Sequence, residues 1–163
     1  MFVRGRSTDE VVACLPDVFY YESRDERVDA DQAWSSAPGQ RLYLADEGGW
    51  CQLWDPDQRF PPRLDELGDL ADTTALAVVF SSVSDIYALW LYADGELVRH
   101  TCAQGGRPEP LYGRAVGEPL PAESRVGDPA DGPDENTLWA VIKEVTGLSA
   151  DTNQSFAVHD VEF

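Results

Sequence analysis

The sequence predicts an α+β domain: one mainly antiparallel sheet of about six or seven strands, with two or three helices packed on it. Three observations predict it. Short segments rich in Val, Leu, Tyr and Trp recur between turn-forming Gly, Pro and Asp residues, as strands of a meander do. "ADGE" (93–96) and "EGGW" (47–50) are hairpin signals. "PDENTLWAVIKEVTG" (133–147) carries helical apolar spacing with a cap at each end.

In chain order, Ser7 or Thr8 is placed to cap a short helix with acidic residues in its first turn, and Pro16 to end it. Val18 to Tyr21 read as a short strand. Residues 22 to 40 are charged and then turn-rich, so they read as a surface loop pinned by Trp34. Leu42 to Ala45 and Trp50 to Trp54 read as the arms of a hairpin. Pro62, Leu64, Leu67 and Ala71 place a helix at about 63 to 72, weakened by Gly68. Residues 73 to 103 read as three meander strands, with a fourth through "LYGRAV" (111–116). Residues 117 to 135 read as a long acidic loop, a length that often marks function or mobility. The helix at 134 to 146 has Asp134 as N-cap, a stripe of Leu138, Val141, Ile142 and Val145, and Gly147 as its stop. "SFAVHDVEF" (155–163) reads as a closing strand. No solenoid repeat is visible, and 163 residues suit a single domain.

Lys and Arg total 12 against 30 Asp and Glu, a formal net charge of -18. Such a chain repels nucleic acid and anionic membrane surfaces and attracts a basic protein or cations. The same charge also serves solubility alone. With 43% apolar residues a core can form. The three cysteines, Cys14, Cys51 and Cys102, form no CxxC pair, which argues against a disulfide framework or zinc site and for reduced thiols in the cytoplasm. "MFVRGRSTDE" lacks a secretory h-region, and the apolar run around "ALAVVF" is too short to span a bilayer.

The stretch "SDIYALWLYADGELVRHTC" (84–102) holds the most concentrated aromatic content. With Asp94-Gly95 as a two-residue turn, Trp90 faces Arg99 and Leu89 faces His100. One face then carries Tyr87, Leu89, Leu91, Val98, His100 and Cys102 as core. The other carries Ala88, Trp90, Tyr92, Leu97, Arg99 and Thr101, with Trp90 and Arg99 set for a cation–π pair. That second face is either covered or a contact surface. Trp50 and Trp54 repeat the mixed aromatic pattern, so Trp50, Trp54, Trp90, Tyr92 and Arg99 are the candidate binding residues.

No common catalytic signature is present. HExxH, CxxC, GxSxG, GxxxxGK[ST] and GxGxxG are all missing, and no cofactor is implied. Asp128, Asp131, Asp134 and Glu135 do not follow EF-hand spacing. Cys102 and His100 fall within an apolar set, which favours an inert thiol over a catalytic pair.

The residues "YALWLYADGELVR" (87–99), "GEPLPAE" (117–123), "DENTLWAVIKEVTG" (134–147) and "GGW" (48–50) resemble a type of small acidic bacterial protein. The resemblance spans about 40 to 160. It implies a compact α+β domain and supplies no activity and no catalytic residues.

Three functions follow as expectations. The first is a non-catalytic acidic module of immunity or regulatory type, neutralising a basic protein partner. The second is an accessory domain that binds a small molecule on a concave aromatic sheet face. The third is an enzyme with His100 or His159 beside carboxylates in a cleft.

Overall fold

The computed structural model describes residues 1–16, 20–35, 39–59, 70, 72–149 and 153–162. The helix expected at 63 to 72 lies almost wholly outside them. Nine strands are described: β1 (Phe2–Arg4), β2 (Tyr20–Asp29), β3 (Arg41–Glu47), β4 (Trp50–Trp54), β5 (Ala75–Ser81), β6 (Ile86–Ala93), β7 (Glu96–Gln104), β8 (Arg107–Pro108) and β9 (Ser155–Glu162). The helices are α1 (Thr8–Ala13), α2 (Ala30–Ser35), α3 (Pro121–Val126) and α4 (Glu135–Thr146). All strands join one antiparallel sheet in the order β2-β9-β3-β4-β1-β5-β6-β7-β8. The fold is therefore the expected α+β class, with more strands than the six or seven expected.

Two of the additions have physical reasons for escaping the sequence pattern. The three-residue β1 fills the centre of the sheet, between β4 and β5, and both Phe2 and Val3 are buried. It is too short to show periodicity. β2 occupies the segment expected to be a loop, and α2 follows it directly. β2 is an edge strand, nearly all exposed, and its register shifts between Ser23 and Arg27. Charge on an edge strand blocks pairing with another chain, so the strand reads like a solvated loop. Arg24 and Arg41 both pair with Asp160 of β9, which ties this edge down.

The sheet is covered on both faces. On one, α1 contributes Val11 to a core with Val3, Leu42, Leu44, Cys51, Leu53, Ala77, Trp90 and Tyr92, closed by Leu15 and Leu70. Ser7 caps α1 in a reciprocal box with Glu10. On the other, α4 lays Leu138, Val141 and Ile142 over Phe2, Trp50, Leu76, Leu89 and Leu91. α2 packs Ala30 and Ala33 against Tyr43, Phe156 and Val158 on this same side. α4 matches expectation: Asp134 accepts from the Thr137 backbone N–H at 2.7 Å, and Gly147 ends the helix with a φ of 75°.

The expected acidic loop at 117 to 135 contains α3, so its first half is ordered by local structure. "LYGRAV" forms no strand; only Val116 bridges to His100, and the strand beside β7 is β8. Among the described residues, no helix is long and apolar enough to cross a membrane.

Candidate functional site

The β6–β7 turn forms as expected, with positive φ at both Asp94 (51°) and Gly95 (82°). Beyond it the expected register fails. Tyr92 pairs with Leu97, then Leu91 pairs with Arg99 and Trp90 with His100, so Val98 is an extra residue in a bulge. One inserted residue exchanges the faces of everything beyond it. His100 and Cys102 therefore join the Trp90 face, while Arg99 and Thr101 join the Leu91 face.

The expected cation–π pair is replaced by two separate arrangements. Trp90 stacks on His100, with ring centroids 4.6 Å apart and planes 20° from parallel, and Tyr112 meets Trp90 edge-on at 5.3 Å. Arg99, on the opposite face, is 4% exposed and forks onto Glu123 of α3, Nε to Oε1 at 2.8 Å and Nη2 to Oε2 at 2.5 Å. Its Nη1 donates to the carbonyls of Val116 and Gly117, both at 3.1 Å, and Glu123 Oε1 also accepts the Leu120 N–H. Arg99 and Glu123 thus serve each other and the neighbouring backbone inside the fold.

The continuous aromatic face expected of Trp50, Trp54, Trp90 and Tyr92 does not form. Trp90 and Tyr92 face the α1 side and are 1% and 2% exposed, whereas Trp50 and Trp54 face the α4 side. Trp50 is buried there. Trp54 is half-buried and belongs to a different aromatic group.

That group is the most prominent candidate contact surface. Trp34 of α2, Trp54 of β4, Phe80 of β5 and Trp139 of α4 are all half-buried. Trp139 sits at the middle, 5.3 Å from Trp34, 5.9 Å from Trp54 and 5.3 Å from Phe80 by ring centroids. Trp34 to Trp54 is 5.9 Å, and Phe2 closes the base of the group edge-on to Trp54. Such spacings are mutual ring contact, which makes the group a platform rather than a cage. The Trp54 indole N–H donates to Gln52 Oε1 at 3.4 Å, and Gln52 Nε2 donates to Gln154 Oε1 at 3.2 Å. This relay fixes both amide orientations and leaves Gln154 Nε2 as a terminal donor. Among the described residues, it and Trp34 Nε1 are buried without a hydrogen-bond partner.

Phe80 pairs across the sheet with Tyr87, which lies on the same sheet face toward the N-terminus of α4. The Tyr87 hydroxyl titrates above its ordinary range, through desolvation first and then the negative charges of Glu135, Asp85 and Asp134. Glu135 lies four residues before Trp139, on the same side of α4. The aromatic row thus ends in carboxylates.

Trp34, Phe80 and Trp139 were not legible as site residues. The available signal was Trp139, which lies outside the apolar stripe of its own helix, and Trp34, an aromatic in an otherwise polar segment.

Elsewhere, a polar depression of about 170 Å³ is lined by Gly39, Gln40, Arg41, Asp160, Val161 and Glu162. Asp160 there is already engaged by Arg24 and Arg41. Among the described residues, no group of three or more His, Cys, Asp or Glu is placed to hold a metal. His100 and His159 are buried on the α1 face, and desolvation lowers both imidazoles, with the charge of Asp9 partly offsetting this at His159. Burial pushes the Cys51 thiol up to about 12 and the Cys102 thiol upward, so both are inert. Comparison with protein-family models, curated proteins and solved structures finds no match.

Proposed function

We propose that this protein is a non-catalytic acidic binding module, of immunity or regulatory type, that engages a basic protein partner through the Trp34, Trp54, Phe80 and Trp139 platform. The observation that carries the reading is this row of half-buried rings, contributed by two helices and two strands, on a chain of net charge -18. Trp is enriched where interface energy concentrates, and opposite charge accelerates encounter with a basic partner.

The small-molecule reading rested on a single concave face holding Trp50, Trp54, Trp90 and Tyr92. Those residues divide between the two faces of the sheet, so that reading loses its geometric basis.

The test is capture of partners from source-cell extract, followed by affinity measurement on the purified partner. The expected partner is basic, its affinity falls steeply with salt, and Trp139→Ala weakens it without unfolding the domain. A partner bound equally at low and high salt, and unaffected by Trp139→Ala and Trp34→Ala, overturns the reading.

A further inference from the structure

The platform carries a more specific inference, which rests on the basic-partner reading above. We propose that the platform is an arginine-docking site: a guanidinium group of the partner lies flat on the half-buried rings along Trp139, Phe80 and Tyr87 and pairs with the carboxylates of Glu135 and Asp85.

Four observations lead there. The rings are in mutual contact, so a ligand cannot enter between them and must lie on top. A flat group on a ring face keeps full contact area, which favours a planar cation over a tetrahedral ammonium. Asp85 and Glu135 are exposed and form no ion pair among the described residues, in contrast to Asp160, Asp55 and Glu123, whose charges are already matched by arginines. Glu135 stands one helical turn before Trp139, and Asp85 stands two residues before Tyr87, which pairs with Phe80 in the sheet, so charge and ring face are adjacent, as the raised Tyr87 hydroxyl also reflects. A guanidinium satisfies both demands at once, stacking through its plane and donating to a carboxylate through its edge.

Asp134 is excluded from a direct role. Its Oδ1 is committed to the Thr137 N–H and hydroxyl at 2.7 Å each, as the cap of α4. It adds charge to the site without being free to swing. Lys143 lies one turn beyond Trp139 on the same helix side, and it marks the end of the platform that a cation avoids.

The experiment uses the intact chain labelled with nitrogen-15 and short peptides of oligo-arginine, oligo-lysine and oligo-citrulline of equal length. The indole N–H signals of Trp34, Trp54 and Trp139 are followed on titration at low salt. The expected result is movement of the Trp139 signal, several-fold tighter binding of the arginine peptide than of the lysine peptide, and none by the citrulline peptide. Asp85→Asn with Glu135→Gln, both at exposed positions, keeps the fold by circular dichroism and loses the preference. Trp139→Phe retains part of the binding and Trp139→Ala loses it. Equal affinity for arginine and lysine peptides, an unmoved Trp139 signal, or a preference unchanged in the double variant each overturns the arginine site. Those outcomes leave the basic-partner reading to its own salt-dependence test, so the two fail separately.

Discussion

Arg99 and Glu123, 24 residues apart in the chain, form a buried two-pronged ion pair that holds α3 and the segment before it against β7. Both ends have further partners, the guanidinium the carbonyls of His100, Val116 and Gly117 as well as the carboxylate, and the carboxylate the Leu120 N–H. Gly117 completes the junction. Its φ is 72°, and a Cβ there would lie 2.0 Å from the Val98 carbonyl oxygen, so only glycine fits. The "GEPLPAE" segment is thus a structural clasp onto the bulged strand.

Breaking one side of that clasp strands a buried charge. Glu123→Gln or Arg99→Met is expected to cost about 3–5 kcal/mol of folding stability, whereas Arg99→Met with Glu123→Leu costs less than the sum. Urea denaturation midpoints of the three variants check this. Near-additive losses would mean the two side chains act independently.

Folding stability is expected to fall as the solution is acidified through pH 6.5. His100 and His159 are both held below their ordinary 6.5 value, chiefly by desolvation. His100 Nδ1 meets the Leu89 carbonyl at 2.9 Å, the Gly113 backbone also acts on the His100 ring, and Nδ1 of His159 has no hydrogen-bond partner among the described residues. Below pH 6.5 the unfolded chain takes up protons on these imidazoles that the folded chain refuses, so acid favours unfolding. Above 6.5 this contribution is constant. Urea midpoints from pH 7.5 down to 5.5 measure the slope, and His100→Gln with His159→Gln should reduce it to the part contributed by the Met1 amine, which burial lowers to about 5.

The thiols should separate by burial. Cys14 is half-buried, whereas Cys51 and Cys102 are buried with raised thiol values. A colorimetric thiol reagent at pH 8 is expected to modify Cys14 first in the native protein and all three only after denaturation. Fast native reaction at Cys51 or Cys102 would contradict the packing around β4 and β7.

Salt should stabilise the fold while weakening partner binding. With 30 acids against 12 bases, the folded chain repels itself, and screening relieves that repulsion. Thermal midpoints in sodium chloride are expected to rise, by about 2–4 °C for each kcal/mol recovered. A falling midpoint would mean that the surface pairs of Arg24, Arg41 and Asp160 outweigh the global charge.

Local chemistry was enough to read α4, the β3–β4 hairpin and the β5–β6–β7 meander, because their caps, Gly turns and apolar runs act within a few residues. The α+β class follows from those same signals. β2 escaped because its residues meet solvent almost throughout, and β1 because three residues carry no period. The candidate site was legible only in part: Trp54 belongs to the platform, whereas Trp50, Trp90, Tyr92 and Arg99 are buried elsewhere. For Arg99 the cause is one residue, Val98, whose bulge turned Arg99 away from Trp90 and placed His100 there instead; for Trp50 it is the register through β4, β1, β5 and β6, which sets it on the face opposite Trp90 and Tyr92. A bulge is set by how β7 must bend to meet Val116 and α3, contacts that lie far along the chain. The meeting of Trp34, Trp54, Phe80 and Trp139 is equally non-local. Sequence by itself determined which rings and charges the protein has; only tertiary packing decided which of them share a face, because strand order and register depend on the whole sheet closing at once.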